Sequence, residues 1–383
     1  MADVLVLGSG FAGLWAALAA ARRIDELGAS GVDVTVVSSQ PYHDIRVRNY
    51  EPDLTDCRIP LSDVLDPAGV AHVAADVTAI DPAAHTVTTS VGERRYDRLV
   101  VALGSAVAIP DIPGLREFGF DVDTYDGAMT LQAHLDGLSA RSTVVVVGAG
   151  LTGIETACEL AGRFRVVLVD RNPRVGSDMG ESARPVIERA LAANGVETRC
   201  GAGVVAVDRD TATLSTGEVV TASTVVWCAG MRASGVTASL GVPLDPLGRV
   251  AVDDYLRVSG LDGVFAAGDV AAARMDDEHL SVMSCQHGRP MGRYAGYNAV
   301  SDLLTAPMLP LRIPWYVTVL DLGPWGAVYT EGWGRTVVAT GADAKATKNT
   351  INRERIYPPR TGSRADLLAA AAPDLQSRPT AEG

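Results

Sequence analysis

Residues 3–17 read Asp3-Val-Leu-Val-Leu-Gly8-Ser-Gly10-Phe-Ala-Gly13-Leu-Trp-Ala-Ala17, and residues 143–155 repeat the plan as Thr143-Val-Val-Val-Val-Gly148-Ala-Gly150-Leu-Thr-Gly153-Ile-Glu155. In both, a β-branched apolar run stops at a glycine turn, and a stretch of good helix formers follows. The first copy continues as a helix to about Leu27 and a second strand at Val32–Val37; the other runs to about Arg163 and then Arg165–Val169. Strand, turn, helix and strand in that order predict a parallel, doubly wound sheet. The glycine spacing has a mechanical reason. The first glycine allows the tight turn, the second lets a pyrophosphate approach the backbone, and the third lets helix and strand pack closely, while amides at the helix N-terminus face the anion. One such turn is weak evidence; two, each correctly placed, predict two dinucleotide sites.

Outward from these turns the halves match. Strand-like runs at Val70–Ile80, Thr86–Ser90 and Leu99–Leu103 have counterparts at Val204–Asp208, Thr211–Leu214 and Thr224–Cys228, and Pro110–Gly114 reads as a linker. A further strand and turn, Val264–Asp269, precedes a helix expected from about Pro290 to Leu304. Beyond Pro307 the chain is richer in Trp and Tyr and reads as a smaller third domain. Its Trp315–Trp333 stretch suits a packed sheet, an acceptor pocket or a dimer interface.

Composition limits the partners. The 383 residues are 47% hydrophobic and 21% charged, with a formal charge of −13, so the surface repels phosphate backbones and anionic headgroups and no nucleic-acid partner is expected. Apolar stretches such as Leu14–Ala21 and Leu367–Ala372 fall short of the roughly 20 residues of a membrane span. The short alanine-rich segment before Pro373 has too little basic, apolar character to serve as a stable membrane anchor. The N-terminus runs straight into a strand pattern, and a cytoplasmic location is the expectation. Cys57, Cys158, Cys200, Cys228 and Cys285 form no Cys-x-x-Cys pair, so neither a redox dithiol nor a metal site is expected, and Cys57 alone is a weak thiol candidate.

Two dinucleotide sites in one polypeptide point to electron transfer between a nicotinamide and a resident flavin. The motifs GSGFAGL (8–14), YDRLVVALGS (96–105), VVGAGLTGIETACEL (146–160), WCAG (227–230) and GVFAAGD (263–269) resemble the two-dinucleotide-fold flavoprotein oxidoreductases, the pyridine nucleotide-disulfide oxidoreductase superfamily, over most of residues 1–305. GFAGL, the Gln286 segment SCQHGRPMGRYAGYNAV and the late KNTINRERIYPP look most like type II NADH dehydrogenases and their soluble relatives. The resemblance implies an α/β chain of two Rossmann-like domains and a small C-terminal α+β domain. An FAD domain (1–110 and 245–305) would be interrupted by an NAD(P)H domain (111–244) and followed by residues 306–383.

Residue by residue, the resemblance implies that Gly8, Gly10 and Gly13, with Phe11 and Ala12, hold the FAD pyrophosphate. Asp269, beside Gly268, would bond the ribitol chain, although it could also cap a helix. Ala102 and Gly104 in the first half, and Gly148, Gly150, Thr152, Gly153 and Gly230 in the second, are further expected cofactor contacts. Ser284–Arg289 would lie beside the flavin ring, giving roles to Gln286 and His287; as bare residues these read equally as a surface loop. One departure stands out: Ser38 occupies the strand end where an acid usually holds the adenosine ribose, and a hydroxyl is the weaker partner. Gln40 could compensate, and Arg46 or Arg48 could add a phosphate or substrate contact unless both are solvated loop charges.

The second repeat does end in an acid, Asp170, which accepts from a ribose 2′-hydroxyl and repels a 2′-phosphate, favouring NADH over NADPH; the adjacent Arg171 weakens that preference. Glu155, on the first turn of the second helix, is expected to orient nicotinamide or relay a proton, or simply to complement the helix N-terminus. Among 33 basic residues only Lys345 and Lys348 are lysines, three apart on one helical face. Amid that arginine bias, at least one is expected to supply a compact ammonium near the flavin or acceptor, unless both are tolerated surface lysines. The activity expected is FAD-dependent NADH oxidation with a quinone-like or other small acceptor. The alternatives are a reductase of a small iron–sulfur protein and an NADH-sensing flavoprotein acting by association. A homodimer is possible.

Overall fold

The computed structural model describes residues 2–313, 315–360 and 362–373. Each glycine-turn repeat builds a five-stranded, wholly parallel sheet. The first is ordered Val264–Ala266, Arg98–Val101, Ala2–Leu7, Val32–Ser38, Ala71–Ala74. The second is ordered Gly119–Phe120, Thr224–Trp227, Thr143–Val147, Arg165–Asp170, Glu197–Cys200. Val4, Val6, Val144 and Val146 are fully buried because the sheets are covered on both faces, which is why these strands read as continuous apolar runs rather than alternating ones. The expected α/β class with two Rossmann-like units is present. A short antiparallel ribbon, Ser105–Val107 against Met231–Ala233, joins the halves just after Gly104 and Gly230.

Two readings of the sequence need correction. The run Val70–Ile80 is two strands in different sheets. Ala71–Ala74 edges the parallel sheet, and Val77–Asp81 opens an antiparallel one. The chain changes sheet where Ala75 N–H still bonds Ser38 O while the next amide, Asp76, is taken by Ser90 Oγ. The late helix begins at Cys285, not Pro290, and runs to Leu303, because Ser284 accepts from His287 N–H and caps it. Pro290 therefore sits inside the helix. Along it, a Cβ on Gly292 would lie 2.2 Å from Ala12 O and one on Gly296 1.9 Å from Ala16 O, so only glycines let it press onto the opening helix, Phe11–Glu26. That crossing sets the start of the Cys285 helix beside the first glycine turn.

A three-stranded antiparallel sheet (Val317–Asp321, Ala327–Glu331, Thr336–Thr340) and the helix Gly341–Thr350 form the C-terminal α+β part. A Cβ on Gly323 would lie 2.7 Å from Cys158 O, which fixes this part against the helix of the second turn, Leu151–Leu160. Among the described residues no helix is long and apolar enough to cross a membrane.

Candidate active site

Both glycine turns have the geometry their spacing predicts. Gly8 and Gly148 adopt φ of +100° and +105°, values that L side chains rarely reach. A Cβ on Gly13 would stand 1.9 Å from Gly8 O, and one on Gly153 1.7 Å from Gly148 O. At Gly10 and Gly150, by contrast, an added Cβ would meet nothing within 4 Å. Each turn thus leaves open space in front of a helix N-terminus, where backbone amides can meet a pyrophosphate. The donor set and the space fit a dinucleotide in each turn. Ala102 O backs Gly8, and the Gly268 turn backs Ala12, so both close the first cradle from behind.

The polar wall beyond the first cradle is already cross-linked. Ser105 Oγ donates to Asp269 Oδ2 at 2.5 Å, and Arg46 donates to Ser105 O at 2.8 Å and pairs with Asp123. Burial pushes the Asp269 carboxyl up, against the hydrogen bond from Ser105. Arg46 is thereby placed one hydroxyl away from Asp269, whereas Arg48 is spent on Glu51 through two hydrogen bonds of 3.0 and 2.8 Å. The Ser38 hydroxyl is turned to Gln40 O (2.9 Å) and His72 Nε2 (2.9 Å), and so holds its own loop. Phe11 meets His43 edge-on at 4.9 Å, and the His43 ring lies against Ser9 O at 2.7 Å, which braces the loop of the first turn. In the second unit, Asp170 accepts from Ala149 N–H (2.5 Å) and Asn172 N–H (2.6 Å), which fixes the carboxylate at the rim of the glycine turn.

Between the two units and the C-terminal sheet lies a cavity of about 390 Å³. Thr152 and Glu155 reach it from the second turn's helix, Cys285 and Gln286 from the start of the long helix, and Lys348 from the C-terminal helix. Glu155 Oε1 accepts from Lys348 Nζ at 2.6 Å and from Asp321 N–H at 3.1 Å; Lys348 also donates to Val319 O at 3.1 Å. Both residues are buried, at 7% and 8% exposure, so this is a desolvated ion pair. Burial drives the Glu155 carboxyl up against the pull of Lys348. On Lys348 burial acts downward, but Glu155 and Asp321 outweigh it and hold the ammonium up. Lys345 donates to both Asp321 oxygens at 2.5 and 2.6 Å, and Tyr50 OH to Oδ2 at 3.1 Å. Both lysines of the chain therefore serve one acidic pair. Nothing in the sequence marked Tyr50 or Asp321, which meet across 271 positions.

Gln286 and His287 are adjacent but part company. The Gln286 carboxamide pairs with the main chain of Val317, donating to O at 2.5 Å and accepting from N–H at 3.2 Å, and so ties the long helix to the C-terminal sheet. His287 lines a neighbouring cavity, against Tyr316 at 5.5 Å. Its Nδ1 accepts from Val282 N–H at 2.9 Å, which requires the neutral ring. Burial, with Arg335 nearby, holds it down to about 4. A buried base with a lowered value loses stability as pH falls from its ordinary value near 6.5 towards 4. The expected loss across that window is about 3 kcal/mol. Thermal melting between pH 7 and 4 checks this: His287→Gln should flatten the acid limb, and an unchanged limb would assign it to other groups.

The sequence profile of the pyridine nucleotide-disulphide oxidoreductases matches residues 2–292, which takes in both turns, Glu155, Asp170, Asp269 and Gln286. The chain belongs to the pyridine nucleotide-disulphide oxidoreductase family. This oxidoreductase is 68% identical over 400 aligned positions to the NADH dehydrogenase-like protein Rv1812c of Mycobacterium tuberculosis (strain ATCC 25618 / H37Rv), covering 99% of this chain and 100% of that one. It is 28% identical over 308 positions to the type II NADH:quinone oxidoreductase of Staphylococcus haemolyticus, covering 70% and 74% of the two chains. NDH2 from Plasmodium falciparum, solved in complex with NADH, superposes with a TM-score of 0.76 over 96% of this chain and 97% of that one at 12% identity, a likeness of fold. The expected likeness to type II NADH dehydrogenases is borne out. The five cysteines of this oxidoreductase are free, and burial pushes Cys57 up to about 11 and Cys158 and Cys228 up to about 12, which keeps them as thiols.

Proposed function

We propose that this oxidoreductase takes hydride from NADH bound at the second glycine turn, uses FAD held at the first, and reduces a small quinone. The observation that carries this reading is the cavity reached from both dinucleotide units, with the buried Glu155–Lys348 pair in its wall. FAD, when bound, supplies the two-electron exchange between NADH and the acceptor. Residues 1–110 and 245–305 would form its domain, 111–244 that of NADH, and 306–383 a C-terminal domain. Gly8, Gly10 and Gly13 bind the pyrophosphate through backbone amides, and the Ser105–Asp269–Arg46 chain faces the ribitol. Thr152 and Glu155 orient the nicotinamide, Lys348 fixes the Glu155 carboxylate and shares its proton, and Gln286 holds the long helix in register with the C-terminal sheet. The apolar walls exclude water, so these charges act at full strength. Anaerobic NADH addition should bleach the flavin absorbance of the yellow protein, and a naphthoquinone should restore it faster than oxygen or a ferredoxin. Reduced protein that no quinone reoxidises would overturn the reading.

The rigid Asp170 carboxylate gives a second test. Its place at the strand end repels a 2′-phosphate, so kcat/KM for NADH should exceed that for NADPH by about ten- to a hundredfold. Asp170→Ala should raise the KM for NADH and bring the two coenzymes within a few fold. A wild-type preference for NADPH would contradict the assignment.

A further inference from the structure

The cavity is cationic in a chain that is not. Arg46, Arg289, Arg293, Arg335, Lys348 and Arg355 line it against two acids, Glu155 and Asp178, although the whole chain carries −13. Lys348 is held by Glu155, Arg46 by Asp123 and Arg335 by Thr318 Oγ1. Arg289 lies within electrostatic reach of both Arg293 and Arg355. Arg289 and Arg293 both face the Trp15 ring, at 5.6 and 4.0 Å from its centroid, and Arg355 lies close enough to act on Arg289. Arg289 Nε is buried with no hydrogen-bond partner. Burial lowers Arg289, with Arg355 adding to the effect, and burial together with Arg289 holds Arg293 down to about 9. Like charges held together out of water are costly unless an anion joins them. Two further buried donors on the same cavity, Trp315 Nε1 and Asn352 Nδ2, also lack partners, so the wall offers N–H groups in search of acceptors. The turn glycines do not line this cavity, so the FAD pyrophosphate is met elsewhere.

We propose that the Arg289–Arg293–Arg355 cluster seats an anionic substituent of the acceptor, making the preferred oxidant a quinone that carries a carboxylate or similar acid group rather than a neutral one. This rests on the quinone reading above and specifies its substrate class. The balance is unchanged: NADH, one proton and the quinone give NAD⁺ and the quinol, two electrons moving, while the anionic group stays intact and serves as a handle. The Trp315 and Tyr316 rings and Ile356 offer flat apolar surface for the ring system, and the charged end sets its orientation.

The test uses the FAD-loaded enzyme with 1,4-naphthoquinone-2-sulfonate and 2-methyl-1,4-naphthoquinone as probes. The expected KM for the sulfonate is at least tenfold lower, and added KCl should raise it while leaving the neutral quinone's KM nearly constant. Arg289→Gln should raise the sulfonate KM tenfold or more and the neutral KM less than threefold, with Arg289→Lys recovering part of the loss. Equal KM values for the two probes, or a variant that shifts both alike or sheds FAD, would overturn the proposal. Quenching of Trp15 fluorescence by the sulfonate, without NADH, separates the two readings. If neither quinone reoxidises reduced flavin, quinone reduction fails, yet tight quenching that Arg289→Gln abolishes would still establish the anion seat, and absent quenching would remove it.

Discussion

Lys348→Met is expected to slow flavin reduction by NADH about a hundredfold, the scale on which one positioned proton-bearing group contributes. Methionine keeps most of the stem and removes the ammonium. Glu155 then has Asp321 N–H as its remaining hydrogen-bond donor in a buried site. Left ionised, it would cost about 3–5 kcal/mol. It escapes that cost by taking up a proton, because burial already pushes its carboxyl up and the opposing pull of Lys348 is gone. The direction of the pH effect follows. A carboxyl raised in the folded state favours the fold most below its ordinary value, and that contribution is lost as pH rises through the raised one. The variant should therefore lose melting temperature on going from acid to neutral pH more steeply than the wild type. Lys348 itself is raised, so its contribution is complete at neutral pH and is lost only above its ordinary value of 10.5. Lys348→Arg keeps the charge but must fit a planar fork where Nζ now meets Glu155 Oε1 and Val319 O, and an intermediate rate is expected. Stopped-flow reduction at several pH values, with melting curves, checks both. Wild-type rates in Lys348→Met would remove the pair from the mechanism.

What could be read in advance divides along a physical line. The glycine turns were legible because each of their constraints is local: a positive φ at Gly8 and an approach of Gly13 to a carbonyl five residues earlier leave a trace within one short segment. The lysines stand out for a different reason, as two among 33 basic residues on one helical face, and the structure puts both into ion pairs. Their partners were not legible. Asp321 and Tyr50 meet across 271 positions, and neither sits in a motif. The start of the long helix was misplaced because Pro290 was read as a first helical residue, while the cap was set by Ser284 six residues before it. In the same segment, Gly292 and Gly296 press that helix onto Phe11–Glu26, a long-range contact that leaves no local pattern. The arginine cluster is not legible because Arg289 comes near Arg355 only when that helix meets Ile351–Arg355, the turn that follows the C-terminal helix.

The two kinds of glycine in each turn should separate folding from cofactor binding. Gly13→Ala places a Cβ 1.9 Å from Gly8 O. That is a clash between main-chain groups that no rotamer relieves, and the expected loss exceeds about 3 kcal/mol with or without flavin. Gly10→Ala is the opposite case. Gly10 has φ −68° and ψ −172°, a conformation open to any residue, and its new Cβ touches no protein atom within 4 Å. As a helix N-cap, the alanine should cost no more than about 1 kcal/mol. The same methyl, however, stands where the pyrophosphate must approach the helix amides. The apoprotein of Gly10→Ala should melt within a few degrees of wild-type apoprotein, while its affinity for FAD falls about a hundredfold or more, some 3 kcal/mol. The matching pair in the second unit, Gly150→Ala and Gly153→Ala, should divide in the same way, with the KM for NADH replacing flavin content as the readout. Flavin stoichiometry at 450 nm and apoprotein melting decide the matter. A Gly10→Ala protein that purifies with a full complement of FAD would mean that the open face of the first turn is not where the pyrophosphate sits.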